Sequence, residues 1–303
     1  MIHVAQVSKT YGAVRALDSV SLEIRTGERV AFVGANGSGK TTLLRCLLGL
    51  IRFDGRITIA GSNVAREPEI ALRSVAYVPQ IAPPLDAPVR EVVETCARLR
   101  GRSPADVALR ARRLGLDLEA SSRKRFRDLS GGMKQKLLAA IALAAEAPVL
   151  VCDEPTANLD GEARAEFVRQ LDERPRSGIV LLCSHRIEEV RVLVDRVVEL
   201  SEGTVRHDAT VDEMWSRLRA FRVEVAVRAE PSRIVDALRA RGFEALGPLR
   251  YAAQLSQSEK VEVVARLLRA HEADIADIAI TPLDDFSAAA SAGPGRPLLK
   301  VVS

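Results

Sequence analysis

At 303 residues the chain exceeds one typical domain and suits two, a larger and a smaller. Its 47% hydrophobic and 28% charged residues allow a packed core, whereas 4% aromatics and a net charge of +4 fall short of the basic, base-stacking surface of a nucleic-acid binder. The four cysteines, Cys46, Cys96, Cys152 and Cys183, show no C-x-x-C spacing, which argues against a disulfide framework or zinc site and for a reducing compartment.

In chain order, "MIHVAQVSKTYG" lacks the apolar core of a signal peptide, and no run of about 18 apolar residues follows, so we expect a chain that does not cross a membrane alone. The alternating segments "HVAQVS" and "VSLEI" predict a small antiparallel start feeding the apolar strand "RVAFVG". From Thr41, "TTLLRCLLGLI" carries apolar residues at helical spacing, so "GANGSGKT" lies between a strand and a helix. Between Pro88 and Arg127 the sequence predicts an amphipathic helical insert. The stretch from Leu137 to Cys152 reads as a buried helix followed by a buried strand, and "PVLVCDE" and "GIVLLCS", joined by a helix around Glu162 to Leu171, predict parallel pairing. Beyond "DEMWSRL" the order becomes βαββαβ, a ferredoxin-like unit, ending in the small-residue, Pro/Gly-punctuated tail 287–303.

The chemistry starts at Gly34, Gly37, Gly39, Lys40 and Thr41, which fit G-x-x-x-x-G-K-[ST]. Glycines at those positions let backbone N–H groups face a phosphate, and the helix that follows adds a positive dipole end. Lys40 would reach the β- and γ-phosphates, and Thr41 would ligate Mg²⁺. In "LSGGMKQKL", Ser130, Gly131 and Gly132 open a second helix with a hydroxyl and exposed N–H groups, a further phosphate-ready end. "VLVCDEPTANLD" then places Asp153 at a strand end beside the expected Mg²⁺, with Glu154 next in line as a general base.

This ordered set resembles the ATP-binding subunits of ABC transporters. The resemblance runs from Tyr11 to His185 and implies a role for each matched residue. Tyr11 corresponds to the aromatic that stacks on adenine, and Gly34, Ala35, Asn36, Gly37, Ser38, Gly39, Lys40, Thr41 and Thr42 to the ATP-holding loop. Gln80 matches the glutamine that senses Mg²⁺ and the membrane subunit. Ser130, Gly131 and Gly132 match the family signature that acts in trans, Asp153 the Mg²⁺ ligand, and Glu154, His185 and Lys40 the catalytic set. Asn158 to Asp160 match the D-loop. "APPLDAPVREVV" after Gln80 lacks the usual Phe.

The resemblance implies a P-loop ABC-type ATPase domain over 1–210, with a helical subdomain at about 88–140, followed by an α+β ferredoxin-like accessory domain over 221–286 and the tail. It implies Mg²⁺-dependent ATP hydrolysis, a second copy of the chain as partner in an ATP-sandwich dimer, integral membrane permease subunits, and no nucleic acid. The expected location is the cytoplasmic face of the inner membrane, peripheral through the permease. The ending "DIAITPLDDF" resembles the C-terminal pattern of ATPases paired with ABC-2-type exporter permeases; the alternatives are a methionine-type importer ATPase, which also carries a βαβ-rich, regulatory C-terminal domain, or a soluble non-transport ABC ATPase. About 90 residues separate Lys40 from Ser130, too few for the coiled-coil arm of chromosome and repair ATPases. The basic run Arg123, Lys124, Arg125, Arg127 reads as a solvated face, and Cys152 and Cys183 as small buried hydrophobes.

Overall fold

A computed structural model describes residues 1–184, 191–218, 220–229 and 232–282. The chain divides into two compact units, Met1–Val211 and Asp212–Ser303.

The first unit holds two sheets. Strands β1 (Ile2–Tyr11), β2 (Val14–Ile24), β4 (Asp54–Ile59) and β5 (Ser62–Asn63) form an antiparallel sheet in the order β2-β1-β4-β5. The other sheet runs β10-β9-β3-β8-β7-β6, made of β3 (Arg29–Val33), β6 (Val75–Val78), β7 (Val149–Asp153), β8 (Ile179–Cys183), β9 (Arg196–Ser201) and β10 (Thr204–Thr210). All its neighbours are parallel except the β9–β10 hairpin. Every residue of β3, β7 and β8 is buried, which is why these strands read as continuous apolar runs: a parallel strand covered on both faces has no polar side to alternate with.

Helix α1 (Lys40–Leu47) buries Leu43, Leu44, Cys46 and Leu47 in one core cluster shared with strands of both sheets. Helices α2 (Pro68–Arg73), α3 (Val89–Leu99), α4 (Pro104–Arg113) and α5 (Leu118–Ser121) lead to α6 (Gly131–Ala144), against which α3 and α4 pack, and α7 (Gly161–Asp172) connects β7 to β8. The stretch from β4 to β6 carries no clear sequence signal: β5 has two residues, and β4 starts at an exposed Asp54-Gly55 pair. Gly55 is needed there, because at φ 96° a β-carbon would stand 2.3 Å from the Gln6 carbonyl oxygen.

The second unit orders its strands β12-β13-β11-β14, from β11 (Ala220–Val227), β12 (Glu244–Gly247), β13 (Arg250–Ser256) and β14 (Ile275–Pro282), all antiparallel. With α9 (Ser232–Arg239) and α10 (Gln257–His271) this is the ferredoxin-like βαββαβ arrangement; α8 (Val211–Leu218) precedes it. Phe221, Val223, Val225, Ile234, Leu238, Tyr251 and Leu267 form its core. The Ser256 hydroxyl accepts from the Glu259 N–H while the Glu259 carboxylate accepts from the Ser256 N–H, a capping box that starts α10. The tail 287–303 lies outside the described residues. Among the described residues no helix is long and apolar enough to cross a membrane.

Candidate nucleotide-binding site

Parallel register decides where the site forms. Phe32 of β3 and Asp153 of β7 both pair with Cys183 of β8, and Cys152 pairs with Val78 of β6. The segments that leave these strand ends, 34–39 after β3, Glu154 after β7 and Gln80 after β6, therefore open along one carboxyl edge of the sheet, the place where open α/β sheets bind ligands. Ser184 follows β8 at the same edge; His185 lies outside the described residues.

The loop itself is built to be lined by backbone. Gly34, at φ 137°, passes so close to β9 that a β-carbon would meet the Leu200 carbonyl oxygen at 2.2 Å. Gly37 is exposed with nothing within 4 Å of where a β-carbon would stand. Gly39, at φ 107°, is the left-handed N-cap of α1. Ala35 and Asn36 are exposed, Thr41 and Thr42 half-buried. The first turn of α1 contains no acidic residue, and helix geometry leaves its leading N–H groups without intrahelical acceptors. Lys40 Nζ donates to the carbonyl oxygens of Gly34 at 2.7 Å and Ala35 at 3.0 Å, folding its ammonium back over the loop. The Ser38 hydroxyl oxygen is buried with no protein partner, an orphan polar atom inside the cradle. Open backbone donors, a cation and a spare hydroxyl fit a bound polyphosphate.

Asp153 is 2% exposed. Burial pushes its carboxyl up to about 6, Glu154 beside it adds to the rise, and Arg45 and Lys40 pull the other way. Burial also raises Tyr77 to about 12, with Asp153 the next cause. A single buried carboxylate at the crevice fits Mg²⁺, which keeps waters and shares its shell with substrate phosphates rather than needing a cage of acids; among the described residues no group of three or more His, Cys, Asp or Glu forms such a cage. Glu154 is half-buried and left-handed at φ 48°, its N–H donating to the Cys183 carbonyl at 2.9 Å, so the chain turns sharply as it leaves β7. Gln80 is exposed beyond β6. Tyr11, 43% exposed, ends β1, with Lys9 Nζ 4.9 Å from its ring centroid. The β1–β2 hairpin continues from it to Ala16, which touches Gly39.

Ser130, Gly131 and Gly132 stand at the N-terminus of α6. Ser130 is the exposed N-cap, its hydroxyl accepting from the Met133 N–H at 3.2 Å. Gly132 lies against the D-loop, where a β-carbon would meet the Asn158 carbonyl oxygen at 3.1 Å. Lys136 Nζ pairs with Asp160 at 2.8 Å, which holds the Asp160 carboxyl below its ordinary value together with the Ala163 N–H that it caps. Gln135, the last residue of "LSGGMKQ" and given no role by the sequence, is buried and donates to Pro155 O. The signal for it was present: Gln135 shares a helical face with Ala139, Ala142 and Leu143, a polar residue on an apolar stripe.

Arg123, Lys124, Arg125 and Arg127 are all exposed, as expected of a solvated face, and two of them form ion pairs there. Arg125 and Arg127 grip the two oxygens of Asp86 at 2.6 and 3.0 Å, and the Phe126 N–H donates to Ala87 O, fastening the segment after Gln80 to the segment before Ser130. The cysteines are unpaired; Cys46, Cys152 and Cys183 are buried and Cys96 is half-buried.

Residues 17–157 match the family described as ABC transporter. The chain is 38% identical over 227 residues to the sulfate/thiosulfate import ATP-binding protein CysA of Bordetella pertussis, across 71% of this chain and 64% of that protein, so it spans less than two thirds of that relative's length. It is 35% identical over 237 residues to the daunorubicin resistance ATP-binding protein DrrA3 of Streptomyces coeruleorubidus, across 75% of this chain and 73% of that one. Among solved structures, an ATP-binding subunit of an ABC transporter superposes with a TM-score of 0.64 at 26% identity, covering 87% of this chain and 99% of the other. A bacterial ABC transporter cassette solved as a dimer gives 0.61 at 26% identity, covering 70% and 99%.

Proposed function

Because the chain belongs to the ABC transporter family of ATP-binding proteins, we propose that it binds and hydrolyses ATP at a dimer interface to power a membrane permease. The observation that carries this is the convergence of the 34–41 loop, Asp153 and Glu154 on one sheet edge, with Ser130, Gly131 and Gly132 opening a separate helix, α6. A second copy related by a two-fold axis brings Ser130, Gly131 and Gly132 of each protomer to the loop of the other, giving two composite sites.

In each site the loop N–H groups, Lys40 and the α1 dipole bind the phosphates, and Tyr11 stacks on the base. Thr41, Gln80 and Asp153 would hold Mg²⁺, which when bound neutralises charge on the β- and γ-oxygens. Glu154 accepts a proton from the attacking water, and His185 donates a hydrogen bond to the γ-phosphate. The Ser130 hydroxyl and the α6 N-terminus stabilise charge on the γ-phosphate from the opposite side.

An apolar groove of about 350 Å³ between the sheet core and the helical insert supports a permease partner. Leu50 at its edge is 62% exposed and Leu99 79%, and Ile81, next to Gln80, is 78% exposed. Location on the cytoplasmic membrane face follows from that partner. We favour an ABC-2-type exporter permease, supported by the "DIAITPLDDF" ending and the similarity to the daunorubicin resistance ATP-binding protein. Import is the second reading, favoured by the sulfate/thiosulfate import relative.

Equilibrium ATP binding, steady-state hydrolysis and size in ATP of the full chain test the core reading. Glu154→Gln should bind ATP normally, accumulate as an ATP-bound dimer, and lose at least about 100-fold in turnover; Lys40→Ala should lose binding. A wild type that binds no ATP, or a Glu154→Gln variant with normal turnover, would sink the assignment. For direction, a neighbouring reading frame for a six-span permease supports export, and a permease beside a periplasmic binding protein supports import.

A further inference from the structure

Gln135 is 2% exposed on the apolar face of α6. Its Nε2 donates to the carbonyl oxygen of Pro155 at 2.9 Å, with a longer contact to the carbonyl oxygen of Pro79 at 3.4 Å. Pro155 directly follows Glu154, and Pro79 directly precedes Gln80. One primary amide, using both of its donors, therefore reaches the backbone beside the base and beside the Mg²⁺-sensing glutamine. The partners are stiff: a proline fixes its own φ, so a displaced carbonyl there carries its neighbour with it. Lys136, the next residue, ties the same turn of α6 to Asp160.

We propose that Gln135 is a positioning residue that fixes α6, capped by Ser130, in register with the segments carrying Glu154 and Gln80. Closing Ser130 onto a partner's nucleotide then also sets Glu154 in its own site. The inference rests on the roles given above to Ser130 and Glu154. The tie acts on the alignment of the base, so its loss should leave the phosphate cradle intact and stop the chemical step. Removing the amide also takes this donor from the buried Pro155 contact and the part-buried Pro79 contact, so a stability cost accompanies the effect.

The test is Gln135→Met in the full chain, which keeps length and approximate volume and removes both donors. ATP affinity, steady-state hydrolysis and dimerisation in ATP are measured beside wild type and Glu154→Gln. Affinity should stay within about twofold, kcat should fall by at least about tenfold, and the ATP-bound dimer should accumulate as it does for Glu154→Gln. Gln135→Asn, one methylene too short to span both carbonyls, should show the same split if the methionine variant does not fold. A folded variant with wild-type kcat overturns the proposal. So does a loss of affinity equal to the loss of kcat, which would assign Gln135 to general structural support. Failure of wild type to bind or hydrolyse ATP would instead overturn the underlying functional reading.

Discussion

Gly39 and Ala16 are in backbone contact: a β-carbon on Gly39 would stand 2.7 Å from the Ala16 carbonyl oxygen, and Gly39 holds φ at 107°. Gly37 shares the positive φ, at 82°, yet has nothing within 4 Å. Gly39→Ala should therefore combine a backbone clash with a dihedral penalty, cost upward of about 3 kcal/mol, and weaken ATP binding at least tenfold. Gly37→Ala should cost about 1–2 kcal/mol through φ alone. Thermal unfolding and ATP titration of the pair check this, and equal effects at both positions would refute it.

Ser130 caps α6 and is proposed to meet a partner's phosphate, and the two roles separate by substitution. Ser130→Asp keeps a good N-cap but sets a negative charge toward the nucleotide. Melting temperature should move little while hydrolysis falls by about 100-fold. Mixed with Lys40→Ala, it should give heterodimers in which one composite site carries both lesions and the other neither. Activity should partly return. No recovery despite proven subunit exchange would contradict composite sites.

Burial holds the Asp153 carboxyl at about 6, above its ordinary 3.8. An acid whose folded value is raised takes up a proton on folding between those two pH values. Its ionisation thus subtracts stability as pH rises through the window, on the order of 3 kcal/mol in all. In chelator, Asp153→Asn should melt several degrees higher than wild type at pH 7.5, with the gap closing by about pH 4. A less stable Asn variant at pH 7.5 would reverse the sign of the argument.

Why the catalytic elements were legible and others were not has a physical basis. The 34–41 loop, Ser130 and the Asp153-Glu154 pair are local: each needs only a strand end, a turn and a helix start, all written in consecutive residues. The βαββαβ order of the second unit was equally readable, since α9 sets Ile234, Val235 and Leu238 on one buried face and α10 opens with a capping box. The β4 to β6 stretch was not, because its strands are held by partners far along the chain, such as β6 by β7. The Asp86 grip on Arg125 and Arg127 was hidden for the same reason, being a pairing about 40 residues apart that no local pattern announces.

A chain ending after Val211 should remain soluble and bind ATP with near-normal affinity. Strand β10 is complete by Thr210, the Val211 N–H still donates to Asp195 O, and the nucleotide loop draws its contacts from the first unit. Loss of partner-stimulated hydrolysis with intact binding would give the second unit a coupling role. Insolubility of the shortened chain would show that it covers an apolar face instead, and that outcome contradicts the prediction.

Glu154 occupies left-handed backbone that a residue with a β-carbon enters at a cost of roughly 1–2 kcal/mol. Glycine would sit there without strain, and asparagine with less. A library at position 154 selected for heat resistance alone, with no screen for turnover, should consequently drift toward Gly and Asn and return stable, inert proteins. Selection for hydrolysis should pull the same position back to Glu, so the two enrichments read out, at one codon, how much stability this chain gives up for the proposed base.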